Sequence, residues 1–335
     1  MSGLQEQSAA IVNDAASLDH RSDSGPLRGV VPGWYRVRMS LRGQALQEFD
    51  LPVAPQRIDE LAPTTPDSEA LRVHAPAGRF LLFCGAGALS LAFEATLFDL
   101  LAEARYPAPR PRRARRGSFI AVLGGQRAAS CYAWPPGEEL VVRDATVPQA
   151  MEVGRLLARL HQLGETHPAA VADPCDAPAL LARSPSGPER EVLETVIREP
   201  LPPLPSGAGH GGLSPARALF IGDRCSAVLP SGLSGSGALV VDLAETAVGW
   251  MAGANRPSAA LRALTSGYQA LRRLLPEEKD SFFAALRFAA AREGARRLAI
   301  GGAGALDALR AVDSVGEMEA TARSASSAQI GRAHV

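Results

Sequence analysis

Residues 210–245 read HGGLSPARALFIGDRCSAVLPSGLSGSGALVVDLAE, and this stretch decides the fold. Two short apolar runs, 218–221 and 226–229, flank a turn at Gly222-Asp223, the pattern of a short hairpin. From Asp242 the period changes, and helices are predicted over 242–253, 258–273 and 276–299. Upstream the order reverses. A Pro/Gly loop occupies 201–212, a helix interrupted near Pro185 and Pro188 covers 179–197, and 147–163 is a strongly amphipathic helix. Further back, 119–123 and 128–134 read as strands. Residues 89–104 form a helix with Leu91, Ala95, Phe98 and Leu101 on one stripe, stopped by YPAPRP at 106–111. Residues 71–84 alternate, turn at Pro76-Ala77-Gly78 and continue as an apolar run, which predicts a hairpin. A short helix is predicted over 39–49, after which Pro52, Pro55, Pro63 and Pro66 break the chain. Strands come early and helices late. That order predicts an α+β protein of two lobes, not an alternating parallel sheet.

The composition agrees. A chain of 335 residues suggests about two domains or lobes, and Lys+Arg 35 against Asp+Glu 35 gives no net charge. This excludes a chain disordered throughout, a coiled coil and a protein that binds nucleic acid by net charge. Only one of the basic residues is a lysine, Lys279, so a site that needs a lysine has one candidate. Cys84, Cys131, Cys175 and Cys225 form no CxxC pair and sit beside no histidine at metal-ligand spacing, so they read as buried thiols of a reducing compartment. The polar start lacks an apolar signal core, and no run approaches ~18 apolar residues. A cytoplasmic protein with no membrane contact is expected.

Several motifs tempt and fail. The glycine clusters at 85–87, 232–237 and 301–304 spell neither GxGxxG nor a phosphate-binding GxxxxGK[ST] loop. There is no HExxH and no GxSxG. His161 reads as a core-edge or capping histidine. The run from Arg110 to Arg116 (with Arg112, Arg113 and Arg115) is by default a solvated loop, with an anionic partner as the functional alternative.

The order of segments from about 45 to 298 resembles the type II homoserine kinases, within the aminoglycoside-phosphotransferase and choline-kinase group. The resemblance is carried by AGRFLL (77–82), YPAPRP (106–111), AASCYAWPPGE (128–138), VGRLLARLH (153–161), ALFIGDRCSAVLPS (218–231), DLAE (242–245), SGYQALRRL (266–274) and ALRFAAAREGARRL (285–298). It implies a protein-kinase-like fold. Residues 41–136 would form an N-lobe of antiparallel sheet plus helix, and 137–325 a mostly helical C-lobe. ATP would lie in the cleft, against a hinge at Tyr132, Ala133 and Trp134. Residues 1–40 would be a polar extension without fixed structure.

The resemblance also assigns catalytic positions. The family's loop reads HxDxxxxN, in which the aspartate serves the substrate hydroxyl and the asparagine holds Mg²⁺; a second metal aspartate follows the next hairpin. Here the histidine is His210, the catalytic aspartate position is Gly212, the asparagine position is Arg217, and the second metal position is Pro230. Mg²⁺ wants oxygen ligands, and none of these side chains supplies one. The strand at 80–84 has no lysine, and the phosphate-covering turn at 62–69 has two prolines and no glycine. Asp223 is expected at a turn away from the cleft, and Asp242 is expected to cap its own helix. The expectation is therefore a pseudokinase that binds a small molecule or protein partner, with no intact metal or cofactor site. The alternatives are an active kinase that uses ATP and Mg²⁺ through unusual ligands, and a relic. Residues 329–335, QIGRAHV, match a translated sequencing adapter and are expected to carry no function.

Overall fold

The computed structural model describes residues 40–318 except 53–54, 62–64, 86, 125–126 and 168–175. The N-terminal extension, the C-terminal heptapeptide and Cys175 lie outside the described residues. Helix α1 (Leu41–Glu48) starts at Ser40, whose hydroxyl accepts from the Gly43 amide. Strands β1 (Arg57–Leu61), β2 (Ser68–Ala75) and β3 (Gly78–Gly85) lead to helix α2 (Ala88–Glu103). Strands β4 (Ile120–Leu123) and β5 (Arg127–Ala133) complete an antiparallel sheet in the order β1-β2-β3-β5-β4.

The two-residue period of a strand sorts the sheet into two faces. On β3 and β5, Phe80, Leu82, Cys84, Ala129 and Cys131 face Ala45, Leu46 and Phe49 around α1. Leu81, Phe83, Ala128 and Tyr132 belong instead to the core shared with α2 and the lower lobe. Burial pushes the thiols of Cys84, Cys131 and Cys225 up to about 12, so they behave as small hydrophobes rather than nucleophiles.

Past the hinge, β6 (Glu138–Glu139) pairs with the later hairpin. Helix α3 (Val147–Gly164) opens with a capping box: Thr146 Oγ1 accepts from the Gln149 amide, and Gln149 Oε1 accepts from the Thr146 amide. Helices α4 (Ala177–Ala182) and α5 (Pro188–Ile197) follow, split where Pro185 and Pro188 predicted the interruption. Strand β7 (Ser206–Gly209) leads into a loop and the hairpin of β8 (Ala218–Ile221) and β9 (Arg224–Val228). Strand β10 (Gly235–Ala238) pairs back with β7. Helices α6 (Leu239–Met251), α7 (Pro257–Gln269) and α8 (Pro276–Ala299) finish the lower lobe, and residues 307–318 are helical.

Helices α3 and α7 cross glycine to glycine. A methyl group on Gly154 would lie 2.0 Å from the Leu264 carbonyl oxygen, and one on Gly267 would lie 2.0 Å from that of Met151. At the end of α3, past His161, Gly164 lies against Ala208 of β7. Among the described residues no helix is long and apolar enough to cross a membrane.

Candidate functional site

The loop between β7 and β8 is held from below by one carboxylate. Asp242 Oδ2 accepts from the His210 amide at 2.8 Å, and Oδ1 accepts from the amides of Gly211 at 2.9 Å and Gly212 at 3.0 Å. Asp242 lies in the first turn of α6, but its oxygens serve another segment, so the expected cap of its own helix is corrected. The loop amides point out of regular structure and need a buried acceptor, and Asp242 supplies it. Burial alone would raise its carboxyl. The hydrogen bond and charge of His161, the charge of His210 and the His210 amide outweigh this and hold it well below the usual carboxylate range.

A chain of buried polar groups extends outward from there. His161 Nε2 lies 2.9 Å from Asp242 Oδ2, and its Nδ1 lies 2.7 Å from the Tyr268 hydroxyl. Arg272 donates to the same hydroxyl and pairs with buried Glu278 at 2.9 Å. His161 is thus a satisfied core histidine. His210 is fully buried, with Nε2 2.8 Å from the Leu229 carbonyl oxygen, and burial lowers its pKa.

Of the sequence-assigned positions, Arg217 and Pro230 are neighbours. Arg217 ends the turn after the loop, and its carbonyl oxygen accepts from the Leu229 amide at 2.8 Å, which sets it beside Pro230. Gly212 has φ of +88°, and a side chain there would have only Glu245 Cβ nearby, at 3.6 Å. Gly212 carries no side chain, Pro230 offers no side-chain oxygen, and Arg217 is a cation. These residues do not fit a divalent metal. Among the described residues no cluster of three His, Cys, Asp or Glu is placed to hold one.

The segment after Pro230 is pinned by a residue that sequence reading passed over. Glu94 of α2 is fully buried, and its Oε1 accepts from the amides of Ser231 and Gly232 and from the hydroxyls of Ser231 and Ser234. Its sequence signal is a lone acid inside the apolar run LSLAFEATLF. Glu245 was passed over as well. It pairs with Arg292 at 2.9 Å and sits beside the vacant Cβ direction of Gly212.

The hinge is internally engaged. Tyr132 packs edge-on against Phe83 and Phe98 and is fully buried. Ala133 pairs with Phe80. The Trp134 amide donates to the Arg79 carbonyl oxygen, and its indole lies 4.1 Å under the Arg72 guanidinium. Arg72 shares the cleft-side face of β2 with Ala70, and its Nη2 bonds Glu139 Oε1 at 2.6 Å. This strap runs from the upper sheet across the hinge to the lower lobe. A second strap joins Asp67, in the turn before β2, to Arg183, the residue just after α4, through two hydrogen bonds. Beside this second strap opens a cavity of about 250 Å³ lined by Asp67, Ser68, Phe83, Ser90, Arg183 and Gly232 among others, with no hinge residue in its wall.

The remaining expectations resolve simply. Asp223 sits at the β8–β9 turn, where its Oδ1 accepts from the Thr146 hydroxyl, away from the cleft. Lys279 is exposed at the start of α8. In the arginine run, Arg110 pairs with Asp99 and Arg115 with Asp50, while Arg112 and Arg113 stack over Phe80 and Phe119.

Comparison with known proteins gives a consistent answer. The model of the phosphotransferase enzyme family matches residues 67–277. A homoserine kinase of Rhodopseudomonas palustris (strain BisB18) is 30% identical over 217 residues, covering 58% of this chain and 64% of the relative. One from Caulobacter sp. (strain K31) is 30% identical over 220 residues, covering 61% and 68%. The chain thus spans just under two thirds of the first relative's length. Among solved structures, amicoumacin kinase hAmiN superposes with a TM-score of 0.60 at 13% identity, covering 85% of this chain and 94% of that one. A microcompartment-associated aminopropanol kinase gives 0.55 at 17% identity, covering 82% and 93%. These likenesses show the kinase-like fold.

Proposed function

Because this chain belongs to the phosphotransferase enzyme family, we propose that it is a catalytically impaired member that binds a small molecule or a partner through its cleft. One observation supports the reading: at the positions that the resemblance assigns to the family's chemistry, Gly212, Arg217 and Pro230 bring no carboxylate. Phosphoryl transfer depends on positioning and on neutralising charge around the transferred group. Without the acid and the metal oxygens, little transition-state stabilisation remains. The two straps across the cleft add to this, because ligand entry at the hinge competes with contacts the protein already makes. The arginine run is a second binding surface only to the extent that its stacked and paired side chains are released. The test is ATP- and Mg²⁺-dependent phosphorylation of homoserine; turnover abolished by a cleft substitution refutes the reading.

Glu245 favours a second reading, an active ATP-dependent small-molecule kinase that phosphorylates a hydroxyl such as that of homoserine. Its Cβ lies 3.6 Å from where a side chain at position 212 would begin, and under this reading its carboxylate would take the role of the missing acid. The ion pair with Arg292 opposes this, because a paired carboxylate is a poor proton acceptor. Under this reading Glu245→Gln removes a measurable activity. Under the first there is none to remove.

A further inference from the structure

We infer that a second cavity, in the lower lobe and outside the cleft, binds a small carboxylate with an aryl or short alkyl body. The inference goes beyond the reading above and holds whether or not the cleft transfers phosphate.

The cavity has a volume of about 220 Å³ and opens between the turn at 142–144, the start of α3 and the start of α7. It shares no wall residue with the cavity beside the Asp67–Arg183 strap. Val147 and Ala150 of α3, Trp250 of α6 and Ala260 of α7 supply its apolar wall. Ala150 and Trp250 are buried, and Trp250 Nε1 donates to the Leu213 carbonyl oxygen at 2.9 Å. The indole is therefore fixed by the loop after β7, and the wall is formed before any ligand arrives. An apolar cavity of about 150 Å³ holds benzene, so this one has room for an aryl group or a short alkyl chain.

The mouth carries charge of one sign. Arg143 and Arg256 line it, and among the described residues no acid does. Asn255, next to Arg256, donates its Nδ2 to the Arg143 carbonyl oxygen at 3.0 Å. That bond ties the two arginine-bearing segments together at one opening. Among the described residues the Arg256 side chain makes no hydrogen bond and no ion pair. Arg143 makes a loose contact of 3.7 Å with its exposed neighbour Asp144. Thr146, also in the wall, is engaged already: its hydroxyl donates to Asp223 and accepts from the Gln149 amide. The donors left for a ligand are the guanidiniums, whose planar forks match a carboxylate. Both arginines are exposed, and water and salt screen an exposed charge. Affinity for a bare anion is therefore small, and burial of an apolar body against Trp250 and the alanines has to add to it.

Benzoate is the probe, titrated against the full chain by ligand-observed NMR. Acetate, which has the charge without the body, and benzyl alcohol, which has the body without the charge, are titrated beside it. The inference expects benzoate to bind below about 1 mM, with both comparison ligands weaker by about tenfold or more. The double substitution Arg143→Ala and Arg256→Ala weakens benzoate by about tenfold or more. Ala260→Leu fills the cavity, keeps both arginines and removes binding. Arg183→Ala, in the other cavity, binds as wild type does. Circular dichroism confirms that the variants are folded. Benzoate that does not bind below about 1 mM overturns the inference. So does benzyl alcohol or acetate that binds as well, a double arginine variant or a folded Ala260→Leu that binds as wild type does, or binding lost in Arg183→Ala. Phosphorylation of homoserine is assayed separately: turnover there sinks the impaired-catalysis reading, while the benzoate titrations decide the second cavity.

Discussion

The underside and the upper face of one loop follow opposite rules. Below residues 210–212, Asp242 accepts three amides, and the chain His161–Tyr268–Arg272–Glu278 continues that order into α8. On its other side, the positions that the resemblance assigns to chemistry hold a glycine, a proline and an arginine. The framework that presents a loop and the groups the loop presents are therefore separable. The first is fixed by buried polar contacts, whose loss costs stability. The second is free to change as long as nothing charged is trapped.

The largest effect is expected from Asp242→Ala, which strands three loop amides and removes the partner of His161. It should cost about 3–5 kcal/mol in chemical denaturation, or prevent folding. A loss below 1 kcal/mol would mean that the loop is anchored by something else. Gly154→Ala comes next, at about 1–3 kcal/mol, because its methyl group meets the Leu264 carbonyl oxygen with no flexible neighbour to yield.

Acid should act on the same underside. His210 has a folded pKa below its ordinary 6.5, so the unfolded chain takes up that proton first. Stability is complete above that value and falls as pH drops through it. Asp242 is held below its ordinary 3.8, so a second loss follows as pH falls below about 4. Urea melts at pH 7.5 and 5.5 check the first step, and His210→Gln should flatten it.

On the upper face the effects shrink. Gly212→Ala forces a side chain into a left-handed conformation with room around it and should cost about 1 kcal/mol. Arg217→Ala should shift stability by no more than about 0.5 kcal/mol, since a half-buried side chain loses little beyond its contact with Phe83. A large loss at Arg217 would erase the contrast between the two faces.

Much of this was legible in the sequence where side chains repeat. The amphipathic period of α3, the β2–β3 alternation and the β8–β9 turn lie where their residues predict. Strand β1 was not legible, because RIDEL carries little alternation and prolines flank it. The β7–β10 ladder is built from SGAG and GSGA, which have no pattern to read and pair only because the flanking helices bring them together. The site divides the same way. His210, Gly212, Arg217 and Pro230 were assigned through the family resemblance, and of these the hydrogen bond between Arg217 and Leu229 sets Arg217 beside Pro230. The anchoring role of Asp242 and the clamp by Glu94 depend on contacts 30 and 137 residues apart, beyond any local period.

The most direct test of the central claim is phosphoryl transfer from radiolabelled Mg-ATP to homoserine by the folded wild-type chain, measured beside Glu245→Gln. The account predicts the same background for both. Turnover by wild type that Glu245→Gln abolishes would contradict it.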